Sequence, residues 1–297
     1  MEVNPILITG AGGQLGRELQ RYAAAFPDFD FVFADHKTLD TTVESWVHKM
    51  LDEIKPAAVI HCAAYTNVER AEDDPENAIL TNAAAAGFVA DACHKNGALM
   101  IHVSTDYVFD GKGSMPYTEQ DQVNPLSVYG ESKLEGERLV DGKCERSIII
   151  RTSWLYSASG HNFFRTMLRL AKEKGELRVV SDQIASPTYA GDFALDILKL
   201  LHKILRRTEH VEYGTYQYTQ LGEASWFDFA REIIHQSGMD VPVYPVKTGE
   251  FQTRAMRPAY SKMNCDKWIN NTNIPLKTWQ DGLAACFDEY KTLSTEH

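Results

Sequence analysis

The sequence predicts an α/β protein built on a doubly wound parallel sheet, with a smaller α/β region at its C-terminal end. Three observations carry that expectation. Short β-branched runs alternate with longer helical stretches through the first half of the chain, the rhythm of βαβ units around a parallel sheet. The first run leads straight into a glycine-rich turn and a helix. Beyond about Ser153 the rhythm loosens, without any Gly/Ser-rich linker, repeat or low-complexity segment.

In order, residues 6–9 read as the first strand and 14–25 as a helix. Residues 31–34 are a second strand, 43–54 a helix and 58–62 a third strand. A long alanine-rich helix over 75–96 precedes a strand at 99–104, a helix at 128–140 and a strand at 147–151. Later helices are expected over 163–173, 191–205 and 226–237, with short strands around Val179 and Tyr216. Pro242, Pro245, Pro258 and Pro275 mark loops. Residues 1–152 are therefore expected to form one domain, completed by segments within 177–235. Residues 153–297 are expected to form mainly a second region, interleaved with the first.

The chain has 297 residues, 44% hydrophobic, 10% aromatic and 24% charged. That composition excludes disordered, collagen-like and disulfide-scaffold classes and leaves room for a large core. Lysine and arginine number 30 against 41 aspartates and glutamates, a formal charge of −11. This balance argues against nucleic acid or an anionic membrane as the main partner. Cys62, Cys93, Cys144, Cys265 and Cys286 are scattered, with no C-x-x-C pair, so reduced thiols are expected. Residues 1–5 show no leader pattern, and no apolar run approaches the roughly 18 residues of a membrane span. The chain is read as soluble and cytoplasmic.

Gly10, Gly13 and Gly16 are spaced G-x-x-G-x-x-G directly after the first strand, with Gln14 and Leu15 between the last two. Such glycines permit a tight turn, close approach of backbone to a pyrophosphate and close packing of helix on sheet. A Rossmann-type dinucleotide site follows. Asp35, at the end of the second strand, suits an adenosine ribose hydroxyl, whereas neighbouring Lys37 suits a 2′-phosphate. The pair leaves NADPH and NADH both open. Asp40 and Thr41 follow on the same loop, and Ala63, Ala64 and Tyr65 follow the third strand, where a dinucleotide would cross the sheet edge.

Tyr129 and Lys133 stand at i and i+4, one above the other on a helix face. An ammonium about 4 Å from a phenol, at an effective dielectric near 20, is worth about 4 kcal/mol. That would lower the phenol's pKa by up to about 3, towards the range where proton transfer is efficient. Thr105, at the end of the fourth strand, is placed to offer a hydroxyl to the same ligand. Together these groups suit hydride transfer at a carbonyl carbon with a proton moving at its oxygen. His61 and His102 lie inside strands and are read as core, and no carboxylate–histidine cluster is read as a metal site; no metal is expected.

On these residues the chain resembles the extended short-chain dehydrogenase/reductase superfamily and, within it, the dTDP-4-dehydrorhamnose reductase family. The resemblance spans nearly the whole chain. It is carried by Gly10 to Leu19, Ser104 to Asp110, Tyr129-Gly130 with Lys133, and Arg151 to Tyr156. Asn162-Phe163, Asp182-Gln183, Ser186-Pro187-Thr188 and Arg257-Pro258 add to it. The resemblance implies NAD(P)H-dependent reduction of the C4 carbonyl of a dTDP-linked 4-keto-6-deoxy sugar, dTDP-4-dehydro-β-L-rhamnose, to give dTDP-L-rhamnose. Tyr129 would be proton donor, Lys133 would bind the nicotinamide ribose and lower the Tyr129 pKa, and Thr105 would hydrogen-bond the reacting oxygen. Asp106 and Trp154 would line the sugar pocket, and Arg257 would meet the nucleotide diphosphate. Ala185 stands where the family has glycine. A homodimer packed through helices is compatible with the resemblance. Two competing readings stay open: another nucleotide-sugar reductase or epimerase, and a non-catalytic regulatory subunit like the β subunit of methionine adenosyltransferase.

Overall fold

The computed structural model describes residues 5–251 and 253–295. Residues 1–4, which carry most of the N-terminal leader reading, lie outside them. The first half runs β1 (Pro5–Thr9), α1 (Gln14–Ala23), β2 (Asp30–Ala34), α2 (Glu44–Ile54), β3 (Ala58–His61), α3 (Val68–Ala71) and α4 (Pro75–Ile79). A π turn (Leu80–Ala84), α5 (Ala85–Asn96), β4 (Leu99–Thr105), a 3-10 turn (Asp106–Val108), α6 (Val128–Lys143) and β5 (Ser147–Thr152) complete it. The second half adds β6 (Leu155–Tyr156), α7 (Phe163–Lys174), β7 (Leu177–Val180), β8 (Ile184–Ala185), β9 (Thr188–Tyr189) and α8 (Ala190–Leu205). After these come β10 (Gly214–Gln217), β11 (Ala224–Ser225), α9 (Trp226–Ser237), β12 (Val243–Val246), α10 (Asp266–Thr272) and α11 (Trp279–Thr295).

Six strands form one parallel sheet in the order β10-β5-β4-β3-β1-β2. Alternate side chains of each strand leave opposite faces, and the buried residues sort accordingly. Ile6, Ile8, Ile60, Ile148 and Ile150 join Leu15, Leu19 and the apolar stripe of α8 in one core. Leu7, Val59, Met100 and Ile149 join Val47, Leu51 and Val89 in another on the opposite face. Both faces are covered, as a parallel sheet requires. The later part of the chain returns to this sheet, since β10 pairs with β5 and α8 packs on α1. A further core of Tyr156, Phe164, Phe229, Trp279 and Leu283 unites α7, α9 and α11.

The helix expected over 75–96 is interrupted. At Leu80–Ala84 the backbone loosens into a π turn, and buried Asn82 there donates to the Tyr65 carbonyl (3.1 Å) and the Ser132 hydroxyl (2.9 Å). Its carboxamide oxygen accepts the Tyr65 N–H (2.8 Å). A continuous α-helix is given up for a clasp between the loop after β3 and α6. The strand order reverses between β1 and β3, so the crevice for a ligand opens at their carboxyl ends.

Candidate active site

Gly10, the first residue after β1, adopts φ 67°, and a Cβ there would lie 2.6 Å from the Ala63 nitrogen. A Cβ on Gly16 would lie 2.5 Å from the Gly10 carbonyl oxygen and 2.6 Å from the Ala11 Cα. Both positions exclude a side chain. The turn is drawn against the loop after β3, and α1 is drawn against the turn. No side chain caps the N-terminus of α1, leaving N–H groups there to bind an anion.

A cleft of about 870 Å³ opens over this turn. Gly10, Gly13, Gln14, Leu15, Gly16, Ala63 and Ala64 line its floor, and Asp35, Lys37, Asp40 and Thr41 line one end. Asp35 accepts the Thr38 hydroxyl at 2.8 Å and the N–H groups of Thr38 and Lys37 at 2.9 and 3.1 Å. The Thr38 bond leads in holding its carboxyl below the usual range. Tyr65 is not among the lining residues; its N–H is held by Asn82 and its hydroxyl donates to Asp74 (3.3 Å).

Thr105, Tyr129 and Lys133, separated in sequence, come together along the same cleft. Ser127 caps α6 by accepting the Gly130 N–H (3.2 Å), and Glu72 holds the Val128 N–H (3.0 Å), which fixes where the Tyr129 turn begins. Thr105 is buried, donating to Asp106 (3.2 Å) and accepting the Tyr107 N–H (3.2 Å). Lys133 is buried too, its ammonium donating to the Val103 carbonyl at 2.7 Å. Burial lowers the Lys133 pKa to about 8, with Glu137 and Cys62 opposing. The expected lowering of the phenol is not what the geometry gives. Burial pushes Tyr129 up to about 12, Asp106 adds to the rise, and a hydrogen bond with Thr105 opposes it. Desolvation of the phenolate outweighs any pull from the lysine, whose proton is directed at a carbonyl.

Ser153, Trp154, Leu155, His161, Asn162 and Trp226 form the opposite wall. Trp154 sits in a left-handed conformation, φ 46°, and its indole stacks on Trp226 with centroids 3.6 Å apart. Trp226 enters the sequence reading as the start of a helix and not as a site residue. It is the first residue of α9, held by the Ser225–Asp228 capping box, and no local pattern ties it to Trp154. Tyr107 is a second omission, packed edge-on against Tyr129 at 5.5 Å. Asp106 lines the cleft but is almost wholly buried, accepting the Ser261 hydroxyl at 2.6 Å. Its pKa is pushed up to about 7 by burial. Arg257 does not line the cleft; its guanidinium pairs with Glu69 at 2.5 Å.

Outside the cleft, ligand atoms of Glu44, His48 and Asp91 lie within 4.8 Å of one another, which corrects the reading that no carboxylate and histidine stand at such spacing. Lys95 neutralises Asp91 there at 2.7 Å. Among the described residues no helix is long and apolar enough to cross a membrane.

The cleft fits a dinucleotide: neither Gly10 nor Gly16 has room for a Cβ, so the turn is drawn tight beside the uncapped N-terminus of α1, and the cleft's volume lies in the range of cofactor sites. Comparison with known proteins agrees. Residues 4–292 match the family model described as the RmlD substrate binding domain. A dTDP-4-dehydrorhamnose reductase of Aggregatibacter actinomycetemcomitans is 41% identical, the match covering 94% of this chain and 96% of that one. A probable dTDP-4,6-dihydroxy-2-methyloxan-3-one 4-ketoreductase of Streptomyces antibioticus is 37% identical over 98% and 96%. Among solved structures, dTDP-4-dehydrorhamnose reductase from Bacillus anthracis in complex with NADP superposes with TM-score 0.91 at 41% identity, covering 97% of this chain and 99% of that one.

Proposed function

The chain belongs to the RmlD substrate binding domain family, and from that premise we propose that it reduces the C4 carbonyl of dTDP-4-dehydro-β-L-rhamnose to give dTDP-L-rhamnose, using NADPH or NADH. The observation that carries the reading is the convergence of Thr105, Tyr129 and Lys133 on one cleft with the Gly10–Gly16 turn. Whole-length similarity to reductases of that name supports it.

When bound, the dinucleotide supplies the hydride, delivered to the carbonyl carbon. The turn through Gly10, Gly13 and Gly16 would hold it close, and the open N-terminus of α1 would take its diphosphate. Tyr129, protonated through neutral pH because its pKa stands near 12, is in the form that gives a proton to the C4 oxygen. Thr105 offers a second hydrogen bond to that oxygen. Lys133, a buried cation, offsets negative charge as it develops there and holds the nicotinamide ribose. Trp154 and Trp226 give the nucleotide sugar an aromatic wall. Residues before about 152 carry mainly the cofactor and later residues mainly the sugar, in the division of labour we propose.

A second reading rests on the Streptomyces relative: the same groups acting on another dTDP-linked keto sugar. Retention of Thr105, Tyr129 and Lys133 in one cleft weighs against a purely regulatory role. The deciding assay follows absorbance loss from NADPH, and separately NADH, with dTDP-4-dehydrorhamnose generated in the same tube and the sugar product identified. Stoichiometric oxidation with dTDP-L-rhamnose formed is expected. Dinucleotide binding without oxidation would move the substrate to another keto sugar.

A further inference from the structure

Beneath the cleft lies a buried charge cluster that the reaction scheme above does not use. Glu137 and Arg151 are both nearly inaccessible, at 5% and 6% exposure, and meet through two parallel bonds: Nε to Oε1 at 3.0 Å and Nη2 to Oε2 at 2.7 Å. The Ser104 hydroxyl donates to the same carboxylate at 2.5 Å. Glu137 is four residues after Lys133 on α6, so the two share a helix face. Arg151 is paired directly with this carboxylate, and Lys133, one turn earlier on the same helix, feels its charge without touching it. A cation withdrawn from water needs a partner, and the bond of Lys133 to the neutral Val103 carbonyl supplies no charge.

We infer that Glu137, clamped by Arg151 and Ser104, is a positioning residue that acts through Lys133, keeping its ammonium charged at the cleft. Arg151 competes with Lys133 for that carboxylate and so tempers its effect. The inference rests on the reductase reading for what Lys133 does to substrate, but the charge relation itself is open to test through cofactor binding alone.

The surroundings make the relation legible in a pH profile. Groups whose charge Lys133 feels or influences are His61 and Cys62 at the end of β3, His102 on β4 and Glu137 on its own helix, and Tyr129 stands one turn before it. His61, lowered to about 3, and His102, lowered well below its ordinary range, stay neutral because of burial first and Lys133 second. Cys62 and Tyr129 are pushed up to about 12 by burial. Between roughly pH 6 and 10 Lys133, at about 8, changes charge among these groups, while Asp106, held at about 7 by burial beside Thr105, changes charge on the acid side of that range and is common to the parent and all variants. The protonated form of Lys133 is present below its value and lost above it.

The experiment measures NADPH affinity by cofactor fluorescence from pH 6 to 10, and turnover over the same range, for the full chain and three variants. The parent loses affinity along a limb near pH 8. Glu137→Gln moves that limb to lower pH by about one unit or more, the effect of removing a nearby opposite charge. Arg151→Met, which leaves the carboxylate to Lys133 alone, moves it to higher pH. The double variant Glu137→Gln/Arg151→Met, with no uncompensated arginine, restores folding if the first is unstable and keeps the limb on the acid side. Opposite displacements in the two single variants are a signature that a packing role alone does not give. Coincident limbs in the parent, Arg151→Met and double variant, or single variants displaced in the same direction, would overturn the inference. Displaced binding limbs without reduction of the dTDP sugar would count against the substrate reading while supporting the role of Glu137.

Discussion

Where the Gly10–Gly16 turn meets Ala63 and Ala64 the cleft is lined largely by backbone and methyl groups, whereas the wall from the second half of the chain presents indole, imidazole and carboxamide. The first wall works by absence. Gly10 and Gly16 let backbone lie against backbone where any Cβ would collide, and the helix end beside them offers N–H groups that every sequence has. The second works by presence: Trp154 and Trp226 must each stand where they do, although 72 positions separate them in the chain. In the function proposed above, the wall built by absence takes the common cofactor core and the wall built by presence selects among sugars. Specificity in this molecule should therefore change through the second wall while cofactor binding holds.

The sharpest break of that comparison is at Gly10. Gly10→Val places a branched side chain in a left-handed turn against Ala63, where strain alone costs about 1–3 kcal/mol. Because the turn must shift to hold that side chain, NADPH affinity in calorimetry is expected to fall about tenfold or more, about 1.4 kcal/mol per tenfold, and unchanged affinity would remove the turn from the cofactor site. Trp226→Ala tests the other wall. Losing the stack with Trp154 is worth about 0.5–1.5 kcal/mol, so KM for the nucleotide sugar should rise about two- to tenfold with NADPH affinity intact. Equal losses of both would erase the distinction between walls.

A smaller effect is expected at the cleft's end. Lys37→Ala should weaken NADPH a few-fold relative to NADH, as an exposed pair with a phosphate is worth about 0.2–1 kcal/mol. No change in the NADPH to NADH ratio would assign the choice to other groups.

The last is a stability effect. Burial keeps Asp106 protonated to about pH 7, so the native chain holds a proton that the unfolded chain releases near pH 4. Stability from this group is present at low pH and lost as pH rises from about 4 to about 7. Asp106→Asn should flatten the fall of Tm over that window, and parallel Tm curves would show that Asp106 is ionised there.

What could be read without coordinates follows the same divide. The βαβ rhythm was legible because strands covered on both faces are continuous apolar runs such as Ile6-Leu7-Ile8, and each returns at helical intervals. Gly10, Gly16, Thr105, Tyr129 and Lys133 were legible because each follows a strand or shares a helix face. Groups that meet only in three dimensions were not. Asn82 bends its helix through partners at Tyr65 and Ser132, Arg257 is held by Glu69, and Glu137 finds Arg151 across from a neighbouring strand. The phenol's charge state also escaped spacing arguments, because burial, which a sequence interval does not encode, outweighs the neighbouring ammonium.

The most direct test of the account is Tyr129→Phe, compared with the parent in NADPH affinity and in the single-turnover rate with dTDP-4-dehydrorhamnose. Removing a general acid typically costs 10²–10⁴-fold, so the account predicts a rate lower by about that factor with NADPH affinity unchanged. Reduction at the parent rate would contradict it, since the proton would then have to come from elsewhere in the cleft.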